Sequence, residues 1–161
     1  ASQRTGLARS TLSKIENEQL SPTFQAVQKL ARGLNIDIPQ LFTSATESRS
    51  AGRRDITRAG QGRAHPTPTY EHEMLASQLT NKRMLPYKSM VRSRSFDDYP
   101  NWVRHDGEEF LLILKGQAEV ILDDERIFLD EGDAVYFDAT LKHRLLSYGG
   151  EETQVLAIVT R

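Results

Sequence analysis

Cysteine is absent from the chain, which removes disulfide frameworks, thiolate zinc sites and a cysteine nucleophile at one stroke. Any metal must therefore be held by His, Asp or Glu. Long apolar runs are missing too. None approaches the roughly 20 residues that span a bilayer, and no basic-then-apolar segment opens the chain as a signal peptide would. There is no glycine-rich phosphate loop, no serine-nucleophile signature and no internal repeat. What remains is ordinary globular composition: 161 residues, 38% hydrophobic and 27% charged, enough for one average domain or two small ones. The expectation is a soluble, cytoplasmic protein without a membrane partner.

The net charge of -1 conceals an asymmetry. Residues 1–63 hold ten Lys/Arg against five Asp/Glu, whereas residues 64–161 hold eleven against seventeen, so two parts with different partners are implied. Most of the basic surplus is carried by Arg49, Arg53, Arg54, Arg58 and Arg63, opposed only by Asp55. Up to Phe42 the apolar spacing is helical. Leu12 and Ile15 lie three apart, and Phe24, Val27, Leu30, Ala31 and Leu34 repeat at i, i+3, i+4 behind Ser21-Pro22, which reads as an N-cap and a first helical proline; the run stops at Gly33 to Asn35. Residues 37–42 read as a final capped turn. From Thr43 the composition turns to Ser, Thr, Gly, Arg and Pro, the signature of a linker.

Beyond the linker the period changes to two. Short β-rich runs occupy residues 84–96, 110–114, 118–122, 126–129, 134–137, 144–148 and 153–160, punctuated by Lys115-Gly116, Asp123-Asp124, Glu131-Gly132 and Gly149-Gly150. Close, regular turns between short strands predict a sandwich or small barrel.

The string Arg4-Thr5-Gly6-Leu7-Ala8-Arg9-Ser10-Thr11-Leu12-Ser13-Lys14-Ile15-Glu16-Asn17 has the layout of a helix-turn-helix: a helix end, a short glycine turn, then a helix opening on small polar residues. A helix that reads the major groove needs Leu12 and Ile15 inside while Arg9, Ser10, Thr11, Ser13 and Lys14 face out. The same spacing also fits a surface helix with ordinary polar decoration. Together with Ser21-Pro22-Thr23, Leu30-Ala31 and Leu41-Phe42, the string resembles the XRE, or lambda-repressor-like, helix-turn-helix family over residues 1–42. The resemblance implies base-reading positions at Arg9, Ser10 and Lys14, with Thr11 and Ser13 beside them. Two departures stand out: Glu18 occupies the place of the family's glycine after the second helix, and the family's first helix is missing from residues 1–42.

Two polar clusters interrupt the β pattern, His105-Asp106-Gly107-Glu108-Glu109-Phe110 and Gly132-Asp133-Ala134-Val135-Tyr136-Phe137-Asp138, with His143 beyond the second. His105, Glu109 and His143 could converge on one metal inside a barrel; they also read as solvated turn residues. Arg92 and Arg94, on one face of a strand, could offer a guanidinium fork to a ligand carboxylate or stand exposed at an edge. Of Tyr136 and Phe137, which alternate, one ring faces the pocket and the other the second sheet. Trp102 walls the pocket or fills core, and His65 and His72 lack partners at ligand spacing. The two clusters resemble the cupin motifs over residues 84–160. This likeness implies His105, Glu109 and His143 as metal ligands, with Val103 where a further histidine is usual, and Gly116 and Gly132 as the glycines that close the first motif and open the second.

The combined reading is an α+β chain. A partial all-α helix-turn-helix domain (1–42), a linker (43–66) and a β-sandwich cupin of double-stranded β-helix, or jelly-roll, type (67–161) follow one another. Its function is expected to be sequence-specific transcription regulation on a double-stranded DNA operator by a homodimer. The barrel senses a small-molecule effector through Arg92, Arg94 and Tyr136 and holds one divalent transition metal (Zn, Fe, Mn or Ni) or none. The alternative is a metal-dependent cupin enzyme of dioxygenase or isomerase type, against which the fused DNA-reading domain and Val103 both argue. If the linker arginines contact phosphates, neutralising Arg53 and Arg54 lowers the slope of log affinity against log salt by roughly 0.9 for each phosphate left without its cation. An unchanged slope in a DNA-binding titration makes the arm a spacer only.

Overall fold

The computed structural model describes residues 1–34, 54–67, 69–79, 82–98 and 101–160. The turn expected at residues 37–42 and residues 43–53 of the linker, with Arg49 and Arg53, lie outside them. The chain divides into two compact units, Ala1–Ile56 with Ser77–Lys82, and Thr57–Ala76 with Arg83–Arg161.

In the first unit α1 (Ser2–Thr5) leads through Gly6, Leu7 and Ala8 into α2 (Arg9–Glu16). The turn is knitted by side chains. Buried Thr5 donates to the Ala1 carbonyl at 3.0 Å, and the Ser2 hydroxyl donates to the Leu7 carbonyl at 2.7 Å. Leu12 and Ile15 are half-buried, while Arg9, Ser10, Ser13 and Lys14 are exposed and Thr11 is half-buried. At the end of α2 the Asn17 amide donates to the Ser13 carbonyl at 2.7 Å, and Glu18 takes φ 56°. The left-handed residue of this corner is therefore a non-glycine. Helix α3 (Phe24–Leu34) starts later than Ser21-Pro22 suggested. Its cap is Thr23, whose hydroxyl accepts from the Ala26 amide at 3.2 Å. Val27 and Ala31 are buried along one side of it. The helix ends at Leu34, inside the window expected from Gly33 to Asn35, and Gly33 is also a crossing point. A Cβ there would meet the Arg4 carbonyl oxygen at 2.5 Å and the Thr5 Cα at 2.6 Å, so only glycine lets α1 lie this close.

The second unit is a sandwich of nine antiparallel strands among the described residues: β1 (Arg63–Pro66), β2 (Tyr70–Met74), β3 (Met84–Val91), β4 (Glu108–Lys115), β5 (Gln117–Leu122), β6 (Glu125–Leu129), β7 (Ala134–Asp138), β8 (His143–Tyr148) and β9 (Thr153–Thr160). One sheet runs β1-β2-β3-β9-β4-β7 and the other β6-β5-β8. Alternation produces the core. Leu85, Tyr87, Ser89 and Val91 of β3 are buried with Thr153, Val155, Ala157 and Val159 of β9, and Ala118, Val120 and Leu129 are buried in the second sheet.

Three expectations change. Residues 63–66, assigned to the linker, form β1 and pair with β2 in the register His65 to His72. Strand β2, outside the β-rich runs, is stabilised by that pairing and by its ladder with β3. The run expected over residues 84–96 ends at Val91, because the Asp98 carboxylate gathers the Arg94 and Ser95 amides at 2.6 and 2.9 Å and turns the chain into a 3₁₀ turn, Phe96–Asp98.

Two substitutions with opposite signs test the helical unit by chemical unfolding monitored through helix circular dichroism. Gly33→Ala should destabilise it by about 1–3 kcal/mol, since both obstructing atoms are backbone. Glu18→Gly should stabilise it by roughly 0.5–1 kcal/mol, the relief of a left-handed L-residue less the added freedom of the unfolded chain.

Candidate functional site

Three titratable side chains from three places in the sandwich meet near one end of β4. His105 precedes that strand, Glu109 lies within it, and His143 opens β8. Gly107 makes the approach possible. Its φ of 90° bends the chain between His105 and Glu109, and a Cβ there would meet the Thr160 carbonyl oxygen at 2.7 Å. The Glu109 Oε2 atom lies 3.2 Å from His105 Nε2 and 3.5 Å from His143 Nε2, and ligand atoms of all three lie within 4.8 Å of one another. The rings stand edge to face with centroids 5.2 Å apart, and no side chain of the three is more than 9% exposed.

The tautomers follow from the partners. His105 Nδ1 faces the Asp106 carbonyl at 3.1 Å and His143 Nδ1 the Leu141 carbonyl at 2.9 Å. Carbonyls only accept, so both Nδ1 atoms carry hydrogen. Each Nε2 of a neutral ring then presents a lone pair toward the shared carboxylate. Two lone pairs against a buried anion call for a cation, and a proton or a divalent metal supplies it. Burial lowers the pKa of His105, but its bonds to Glu109 and the Asp106 carbonyl, with the charges of Glu109 and Asp106, outweigh burial and hold it above the usual histidine value. For His143 burial prevails over the Glu109 charge, and its pKa falls below that value. The proton therefore prefers His105. Two imidazoles and one carboxylate, each ring oriented by a backbone acceptor, are also the donor chemistry of a first-row divalent metal.

Behind the cluster lies a polar layer that sequence reasoning missed. Tyr87, buried on β3, is kept protonated by burial, by the Glu109 charge, by Tyr70 and by its hydrogen bond to Glu109. Its ring meets His72 edge-on at 5.0 Å. His72 bonds the Ser89 hydroxyl through Nδ1 at 2.6 Å and stacks on Tyr70 at 5.3 Å and His65 at 6.1 Å. Tyr70 donates to the Leu145 carbonyl at 3.0 Å, and burial pushes its hydroxyl up to about 12. The available signal was period-two alternation: Tyr87 falls between Leu85 and Ser89 on the inward face.

Not every expected residue joins the cluster. Arg92, just past β3, is exposed and ion-paired to Glu71 at 2.9 Å and Glu152 at 3.5 Å. Arg94 lies exposed in the following loop, off any strand, because β3 has already ended. Tyr136 is 61% exposed, and its neighbour Phe137 supplies the inward ring, 5.1 Å from His143. Trp102 is 38% exposed and packs on Phe96 at 5.1 Å, so it is not plain core. Val103, in the place of a fourth ligand, is half-buried and forms a β-bridge to His143.

Comparison with known proteins agrees with both units. Residues 1–41 match the helix-turn-helix family model and residues 97–159 the cupin domain model. No curated protein sequence matches the chain. An HTH_3 family transcriptional regulator from Vibrio cholerae is similar in fold, at TM-score 0.65 and 18% identity over 99% of this chain and 84% of that one. Hydroxypropylphosphonic acid epoxidase from S. wedmorenis, solved with fosfomycin, is similar at TM-score 0.58 and 20% identity over 98% and 86%. An iron(II) form of HppE gives 0.60 and 18% over 98% and 87%. The fold and site thus define a two-part class, a helix-turn-helix joined to a β-sandwich with a histidine–carboxylate centre. Within that class the chain is similar to helix-turn-helix proteins over residues 1–41 and to cupin domains over residues 97–159.

His72 gives the barrel a testable acid limb. Burial first, and the neighbouring His65 second, push its pKa down to about 3, so the unfolded chain takes up a proton that the folded one refuses. This contribution is constant above the ordinary histidine value. As pH falls from there toward 3, stability drops by roughly 1.4 kcal/mol per unit. Unfolding free energies across that range should show the loss, and His72→Gln should flatten it.

Proposed function

We propose that the protein is a sequence-specific transcription regulator in which α2 reads the operator and the cupin barrel senses a small effector beside a divalent metal held by His105, Glu109 and His143. The observation that carries this reading is the tautomer-fixed histidine pair facing one buried carboxylate, in a chain that also holds a helix-turn-helix. When bound, the metal supplies a Lewis-acidic centre with positions open to a chelating effector. The chain's own residues do the rest: the Asp106 and Leu141 carbonyls orient the imidazoles, and Tyr87 holds Glu109. On the DNA side, Arg9, Ser10, Ser13 and Lys14 contact base edges or phosphates, with Thr11 beside them. A homodimer in the cytoplasm presents two such helices to two half-sites. Effector binding shifts the population between dimer spacings that fit and do not fit the operator.

A second reading, a metal-dependent enzyme, gains weight from the epoxidase, whose structure spans both units of this chain at 20% identity. Fusion to a helix-turn-helix therefore does not argue against turnover. Val103, in a fourth ligand position, still does.

Elemental analysis of protein purified without an affinity tag distinguishes these readings from a metal-free barrel. The parent should carry about one metal per chain and His143→Ala none; a metal-free parent that still responds to effector refutes the metal centre. Consumption of effector during incubation would identify the enzyme. For the reading helix, Arg9→Ala should cost about 1–3 kcal/mol on a selected operator if it reads a base. Equal loss on random duplex makes it a phosphate contact.

A further inference from the structure

The bulkiest side chain in the fully buried set is not apolar but Arg144, the residue after His143. A buried guanidinium is costly unless its charge and donors are met, and here one segment engages two of its nitrogens and its face. Its Nη1 donates to the Asn101 carbonyl at 2.7 Å, its Nη2 donates to the Ser93 hydroxyl at 3.2 Å, and its carbon lies 5.5 Å from the centre of the Phe96 ring. Ser93 and Asn101 flank the 3₁₀ turn, so the guanidinium is held from both sides of that turn. The same loop is sewn to β8 on either side of that grip. The Ser147 amide donates to the Ser93 carbonyl at 2.8 Å, and Val103 and His143 exchange two backbone bonds at 3.0 and 2.9 Å. Two residues beyond Val103 the segment delivers His105, whose amide donates to the Ala139 carbonyl at 2.9 Å.

We propose that Arg144 is a positioning residue for the histidine–carboxylate centre: it clamps the segment that carries Val103 and His105 against the strand that carries His143, and so sets the separation of the two imidazoles. Glu109 arrives independently on β4, so the clamp governs the pair of rings and not the carboxylate. Planarity matters to this task. The fork spans two acceptors while its face meets Phe96, which a lysine cannot reproduce in full. The inference rests on the metal reading of the cluster for its consequence, but the clamp itself can be read without metal.

The test uses the full chain, with Co(II) as the probe and with amide hydrogen exchange on metal-free protein. Arg144→Met should speed exchange at the Val103 and His143 amides at least tenfold while the β9 amides from Val155 to Val159 keep the parent's rates. It should also weaken Co(II) binding by about 10–100-fold, the range for losing an outer support of a ligand, and change the cobalt absorption bands. Arg144→Lys should recover part of each effect. If Arg144→Met fails to fold, Ser93→Ala, which removes one acceptor, should give the same local pattern at smaller amplitude. Exchange that rises evenly across the barrel, or that is unchanged at Val103 and His143, overturns the proposal, as do parent-like cobalt bands and affinity in a folded variant. Should the parent bind no Co(II), the metal reading fails, and the local or uniform pattern of exchange still decides the clamp.

Discussion

A carboxylate removed from water needs positive charge or hydrogen-bond donors beside it, and Glu109 is buried between two histidine rings. Its side chain is 9% exposed and faces two imidazoles whose other nitrogens are already committed to backbone carbonyls. Much of the barrel's local architecture serves that meeting. Gly107 supplies the bend that brings His105 over Glu109, Tyr87 holds the carboxylate from β3, and Phe137 packs against His143. A proton on His105 satisfies the arrangement at low pH; a divalent cation satisfies it with both rings neutral. The two compete for the same lone pair, so metal affinity should rise with pH through the range in which His105 loses its proton.

His105 and Glu109 were legible in the sequence because a polar cluster around Gly107 breaks an otherwise alternating β pattern, and His143 joined them through the resemblance to the cupin motifs. The turn and second helix of the DNA-reading motif were legible for a similar reason, since Gly6 supplies the left-handed residue that ends one helix and the small polar residues after it open the next. Much of the supporting layer was not. Arg144 reads as a solvent-facing charge in any hydropathy pattern, and its burial depends on contacts with Ser93, Phe96 and Asn101 that lie far from it in sequence. Strands β1 and β2 carry charges and histidines that weaken the period-two signal; their stability comes from ladder pairing with one another and with β3, which no local property encodes. Arg92 and Arg94 were misplaced by a strand that stopped early. That stop depends on a carboxylate four residues ahead capturing two amides.

Regulation and catalysis place different demands on the same three side chains. A sensor needs a site whose occupancy changes a conformational equilibrium, whereas an enzyme needs open coordination positions and a substrate aligned with them. The layout shared with an epoxidase at 20% identity shows that fold alone does not choose between them. What favours sensing is the density of mechanical connection. His105 and His143 are joined through Val103, Arg144 and a loop bonded to β8, so a small change in ring separation has a continuous packed route into the second sheet.

The most direct measurement is the affinity of the full chain for a selected operator duplex, compared between metal-loaded and chelator-treated protein at one fixed salt concentration. A regulator that reads the state of its histidine–carboxylate centre should differ between the two by at least about 5-fold, the lower end of ordinary allosteric coupling, and the difference should vanish in His143→Ala. Equal affinities in both states would contradict the account.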